Sequence, residues 1–195
     1  MEILNLTCKR TNSYLLKSNC GWIIIDTDFP DTLHRLMYLL NQYNIKISDI
    51  KYLIVTHFHP DHAGIVQDLK NLGIKLILHE CQVSFVDKLN NFFKKNSKFR
   101  YTDIVSGDNI VVSSKDSREF LGSVGIEGEI IQTPGHTDDS VSIVIDRYCA
   151  FTGDLPGFGL MEAYDDQIIK DSWKLIKEYK IIKIYPAHGN LYTII

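Results

Sequence analysis

The chain has 195 residues, of which 45% are hydrophobic and 23% charged, with a formal net charge of −3 at pH 7. This length suits a single domain over 1–195 with a sizeable core, and the weak acidic balance gives no global reason to expect nucleic acid or a membrane as partner. No apolar run approaches the ~20 residues that span a bilayer, and residues 1–13 lack the basic start and apolar core of a signal peptide, so the sequence predicts a cytoplasmic protein.

In chain order, short strands are predicted at 2–8, 12–18 and 21–27, with a hairpin turn near Asn19–Gly21, so an antiparallel meander opens the fold. Asp31 or Thr32 can cap a helix whose stripe is Leu33, Leu36, Met37, Leu40 and Tyr43. A buried strand at Tyr52–Thr56 follows, then a helix over 61–72 that closes at Gly73, then a strand at 74–79. This βαβ pattern implies a right-handed crossover. A helix is predicted from Glu80 to about Asn96, a strand near Ile110–Val112, and a short helix around 115–123. Strands at 129–133, 141–146 and 148–152 precede a helix over 163–179, striped by Ile168, Ile169, Ser172, Trp173, Ile176 and Tyr179. The last strand, Ile181–Tyr185, runs into "PAHG". Cys8, Cys20, Cys81 and Cys149 show no CxxC spacing, which argues for small buried hydrophobes over a disulfide framework or a thiolate zinc site.

Four loops share one grammar, in which an apolar strand stops abruptly at histidine or aspartate beside glycine or proline. They are "THFHPDHAG" at 56–64, "TPGHT" at 133–137, "TGDLP" at 152–156 and "PAHG" at 186–189. Imidazole nitrogen and carboxylate oxygen suit a borderline ion such as Zn²⁺. His57 and His59 lie two apart at a strand end and point the same way, while Asp61 and His62 follow where the chain turns into a helix. So much donor density at the ends of buried strands is costly without a cation. With His136, Asp154 and His188 the loops supply seven donors, enough for two ions sharing a bridge. His34 and His79, each alone in its segment, read as ordinary surface or hydrogen-bonded histidines.

The "HFHPDH" loop, followed in order by "PGH", "GD" and "PAHG", resembles the metallo-β-lactamase superfamily over most of the chain. The resemblance implies an α/β fold, a four-layer αβ/βα sandwich with a metal site at the edge of its two sheets. It also implies that His57, His59 and His136 hold a first ion, that Asp61, His62 and His188 hold a second, and that Asp154 bridges them. Asp26, in "IIIDTD", would accept a hydrogen bond from a histidine ligand and orient it. Asp28 stands where the family usually has glycine.

Two close cations, zinc with iron or manganese as alternatives, would lower the pKa of a bridging water and supply hydroxide near neutral pH. Asp61 is placed to orient that hydroxide and relay its proton. Hydrolysis of a small ester-like substrate, a thioester or lactone, is therefore the expected activity. Penicillin-hydrolysing relatives usually carry cysteine where Asp154 stands, which disfavours β-lactam cleavage. The pattern looks more like the glyoxalase II and lactonase branch, without the C-terminal helical domain of glyoxalase II. An alternative is a persulfide dioxygenase-like enzyme with one iron on His57, His136 and Asp154; another is a phosphodiesterase or ribonuclease. The latter is prompted by the basic, phenylalanine-rich segment 85–100, which reads first as an amphipathic helix and second as a lid for an anionic substrate. Tyr164 reads as packing at the start of the last helix.

Overall fold

A computed structural model describes residues 1–7, 11–96, 98–161, 163 and 165–194. Cys8 and Tyr164 lie outside the described residues. One six-stranded sheet has the order β1 (Ile3–Asn5), β2 (Tyr14–Ser18), β3 (Gly21–Ile25), β4 (Ile50–Ile54), β5 (Lys75–His79), β6 (Ile110–Val112). The first three strands pair antiparallel, and β3 through β6 pair parallel. The second sheet takes β7 (Gly128–Gln132), β8 (Val141–Ile145), β9 (Cys149–Gly153), β10 (Lys183–Pro186) and β11 (Tyr192–Thr193) in the order β11-β10-β9-β8-β7. In that sheet β9 and β10 run parallel, and β7–β8–β9 is antiparallel.

The twofold alternation of each strand sorts its apolar residues between two layers. In the first sheet Leu15, Ile24, Leu53 and Leu76 pack under helices α1 (Leu33–Gln42), α3 (Val66–Asn71) and α4 (Val83–Lys95). Their neighbours Leu16, Ile23, Ile25, Ile54 and Ile77 turn the other way and meet Ile143, Ile145, Cys149 and Phe151 of the second sheet. That sheet's outer face, with Ile131, Val144, Ala150 and Ile184, packs on Ile169, Trp173 and Ile176 of α6 (Gln167–Glu178). The result is the expected four-layer αβ/βα sandwich. Each fully buried Leu or Ile contributes roughly 1.5–3 kcal/mol over its exposed state. Helix α5 (Ser114–Ser123) closes one end of the inter-sheet layer through Leu121, and its Arg118 pairs with Glu129 and Asp146.

Several boundaries differ from expectation for identifiable reasons. The helix expected over 61–72 is split into α2 (Pro60–Ala63) and α3, because Gly64 is pressed against the 28–30 loop. Its amide donates to the Asp28 carbonyl at 3.1 Å, and a Cβ at Gly64 would lie 2.4 Å from backbone atoms of residues 28–30. Asp166 accepts the Ile168 amide at 2.8 Å and so starts α6 at Gln167, four residues later than predicted. Thr32 precedes α1 without a side-chain cap, since its hydroxyl donates to the Phe29 carbonyl at 2.6 Å. Of the three described cysteines only Cys149 is buried; Cys81 is half-buried and Cys20 exposed. Helix α4 buries Val86, Leu89 and Phe93, with Phe93 stacked on Tyr101 and Lys94 paired to Asp103 at 2.9 Å, but the amphipathic reading holds only in part, since Phe92 and Phe99 stay exposed. Among the described residues no helix is long and apolar enough to cross a membrane.

Candidate metal centre

The C-terminal ends of β3, β4, β7, β9 and β10 meet at one edge of the sandwich. Three backbone hydrogen bonds tie these ends together: the Val141 amide to the Thr56 carbonyl at 2.8 Å, Asp26 to Ile54 at 2.9 Å, and Ala187 to Gly153 at 3.0 Å. Gly153 has φ +55, and a Cβ there would stand 2.4 Å from the Thr56 hydroxyl, so glycine lets β9 approach β4 closely just before Asp154.

The structure gathers the other six predicted donors around Asp154. Its Oδ2 lies 3.5 Å from His136 Nε2 and 4.0 Å from His57 Nε2, and His136 Nε2 lies 3.1 Å from His59 Nδ1. Its Oδ1 lies 3.4 Å from His62 Nε2 and 3.2 Å from His188 Nε2. Asp61 Oδ2 closes the second group, 3.6 Å from His62 Nε2 and 3.4 Å from His188 Nε2. Two trios that could hold a metal ion follow, His57–His59–His136 and Asp61–His62–His188, with ligand atoms within 4.8 Å of one another in each; His57, His62 and Asp154 form a third such group between them.

The donor chemistry fits a cation. His57 Nε2, His62 Nε2 and Asp154 Oδ1 are buried without a hydrogen bond, a costly state for atoms that converge on one point unless a positive charge sits among them. Burial, reinforced by His62 and His59, holds His57 well below the usual histidine range, and burial with His136 lowers His59. Both imidazoles are therefore neutral near pH 7, the form that binds metal. Burial also disfavours the His62 cation, but the Asp26 carboxylate, followed by Asp154, outweighs it and raises His62 to about 10, so an ion binding at Nε2 displaces a proton from this imidazole. Asp154 is pushed up by burial, yet His62, His188 and His136 leave it below its ordinary value.

Asp26 sits between Thr56 and His62. It is buried, accepts the Thr56 amide at 2.7 Å and the Thr56 hydroxyl at 2.8 Å, and its Oδ2 stands 3.1 Å from His62 Nδ1. Asp26 itself takes the left-handed conformation, φ 56, whereas Asp28 does not. Glycine is therefore dispensable at 28, and the Asp28 carboxylate instead accepts the Phe29 amide at 2.7 Å. His34 is exposed, and His79 is buried near Cys81 and Ser114 at 3.1 Å each, so neither joins the centre.

Five supporting residues escaped the sequence reading. Thr56 links Asp26 to His57, with its hydroxyl 3.3 Å from His57 Nδ1. Asp139 accepts the Phe58 amide at 2.8 Å and so fixes the loop between His57 and His59, while Gln82 donates to the carbonyls of Val55 and Asp139. Asn12 donates to the carbonyls of Pro186 at 3.0 Å and Gly189 at 2.9 Å, bracketing His188. Thr11 donates to Asp61 Oδ2 at 3.2 Å. Two cavities flank the centre, one of about 310 Å³ between His136, Asp154, His188 and Tyr192, the other of about 400 Å³ beside His59.

This architecture and its histidine-rich edge define a metallo-β-lactamase-fold protein. The family model of the metallo-beta-lactamase superfamily matches residues 6–188, and the chain belongs to that superfamily. Among curated relatives, a beta-lactamase-like protein 2 homolog of Drosophila melanogaster is 28% identical over 95% of this chain and 61% of its own length. A lactamase-like protein nscB of Arthroderma gypseum is 31% identical over 92% of this chain and 50% of its own. The chain thus spans about half to three-fifths of the length of these relatives. Among solved structures, a metallo-beta-lactamase family protein of Thermus thermophilus superposes with a TM-score of 0.74 at 17% identity, over 98% of this chain and 74% of that one. The native metallo-beta-lactamase of Legionella gormanii does so with 0.72 at 21% identity, over 95% and 76%. At these identities the structural likenesses establish the fold.

Proposed function

We propose that the chain is a single-domain dinuclear metal-dependent hydrolase acting on a small ester-like substrate, a thioester or lactone. The observation that carries this reading is the division of Asp154, which turns one carboxylate oxygen to each of two histidine-containing trios. In this reading His57, His59, His136 and Asp154 would hold one ion, and Asp61, His62, His188 and Asp154 the other. Imidazole nitrogen with carboxylate oxygen suits Zn²⁺, with iron or manganese as alternatives. Bound there, two such ions would supply Lewis acidity and a water acidic enough to react near neutral pH. The Asp61 carboxylate would orient such a water and accept its proton, and the Thr11 hydroxyl holds the Asp61 carboxylate in register. Asp26 keeps His62 in the tautomer with its proton on Nδ1, leaving Nε2 to the metal.

A panel of thioesters, lactones and phosphodiesters offered to zinc-loaded protein, with and without Asp61→Ala, tests this. The expected result is chelator-sensitive turnover of a thioester or lactone that falls at least ~10²-fold in the variant. Unimpaired turnover by Asp61→Ala would remove the proposed role of that carboxylate. Turnover of phosphodiesters alone, or of none of the panel, would overturn the substrate class.

A further inference from the structure

The larger cavity at the centre has its own chemistry. About 400 Å³ in volume, it is lined by Phe58, Phe85, Leu89 and Phe92 on its apolar side and reaches the metal centre through His59. Phe92 is 44% exposed although its neighbour Phe93 is buried, so α4 turns an aromatic side chain into the cavity where its amphipathic pattern would place a polar one. A cavity of this size takes an aromatic ring with a short chain.

The cavity also carries a single cation. Lys88 lies on its wall with Nζ 3.5 Å from the Phe85 ring centroid. Further along the same helix, Lys94 is paired with Asp103, whereas Lys88 has no carboxylate partner among the described residues. The other charged lining residue, Asp139, is buried and engaged with the Phe58 amide. An ammonium held over an aromatic face at the mouth of an apolar cavity leaves its outer side open to an anion. With Lys88 as its one lining lysine or arginine, the cavity is not the extended basic groove that tracks a nucleic-acid backbone.

We propose that this cavity is the substrate-selecting subsite and that it takes an apolar, preferably aromatic, group carrying a carboxylate that pairs with Lys88. Resting on the hydrolase reading above, this narrows the substrate to an anionic amphipathic ester or thioester, with the reacting bond lying beyond His59.

Calorimetric titration of the zinc-loaded protein with 4-phenylbutyrate and its neutral analogue 4-phenylbutanol tests this without requiring turnover. Wild type is expected to bind the carboxylate about twofold to fivefold more tightly, the strength of one exposed ion pair. Lys88→Met is expected to abolish that preference while leaving the affinity for the alcohol unchanged, and Lys88→Arg to restore it. Phe92→Ser should weaken both ligands several-fold. A carboxylate preference that survives Lys88→Met would place the anion on the metals instead and overturn the assignment, as would absence of binding at millimolar concentration or indifference to Phe92→Ser. Binding as expected in a protein that hydrolyses no ester would defeat the hydrolase reading alone; ester hydrolysis without these binding effects would defeat the subsite alone.

Discussion

Replacing Asp154 with alanine is expected to empty both metal positions at once and to lower hydrolysis by ~10³-fold or more, the effect of losing several kcal/mol of transition-state stabilisation. The expectation follows from geometry. Asp154 Oδ1 stands 3.2–3.4 Å from His188 and His62, while Oδ2 stands 3.5 Å from His136, so one substitution strips an oxygen donor from each trio. Asparagine preserves the shape but has one oxygen, so Asp154→Asn is expected to retain at most one ion. Zinc bound at a hundredfold excess over its dissociation constant stabilises a protein by about 2.7 kcal/mol. The rise in Tm on adding zinc should therefore be present in wild type and absent in Asp154→Ala, while the far-UV circular dichroism of the two stays alike. An alanine variant that kept two ions and most of its activity would show that the carboxylate does not bridge.

The second large effect is expected at Asp26, which touches no predicted ion. Asp26→Asn can keep the left-handed backbone and the bond from the Thr56 amide, because asparagine tolerates that conformation and retains one carbonyl oxygen. It cannot accept from both the Thr56 hydroxyl and His62 Nδ1, which share Oδ2. His62 then gains by moving its proton to Nε2, the atom that faces Asp154 and Asp61. Metal affinity at the Asp61–His62–His188 trio should fall 10- to 100-fold, as loss of the outer partners of metal-binding histidines generally produces, with the other trio less affected. Stability should fall by about 2 kcal/mol in the asparagine variant and by about 3–5 kcal/mol in Asp26→Ala, where a buried amide, hydroxyl and imidazole all lose their acceptor. Nitrogen chemical shifts of His62 report the tautomer directly. A wild-type tautomer in Asp26→Asn with weakened metal binding would refute the orienting role.

The donors themselves are legible because each closes a strand whose apolar alternation is plain in the sequence. Val55–Thr56 before His57, Ile131 before the 133–136 turn, Phe151 before Asp154 and Ile184 before His188 mark where buried chain ends and polar loop begins. Strand alternation likewise exposes both sheets, since Ile23, Ile24 and Ile25 lie within one run and divide between two cores. The supporting residues are not legible, because their partners are remote in sequence. Asn12 meets Pro186 and Gly189 across more than 170 positions, and Thr11 meets Asp61 across 50, with no periodicity to betray either. Local pattern also hides the break at Gly64: Ile65, Val66 and Leu69 keep helical spacing, and only contact with the 28–30 loop interrupts it. The strand β11 is two residues long and exists by pairing with β10, below what alternation can signal.

The most direct test of the proposed dinuclear centre is metal identity and stoichiometry per chain, measured by elemental mass spectrometry on protein purified without added metal. Two zinc ions per chain is the predicted result. One ion per chain, with iron dominant and zinc near background, would contradict the bridged pair and point instead to oxygen chemistry at His57, His136 and Asp154.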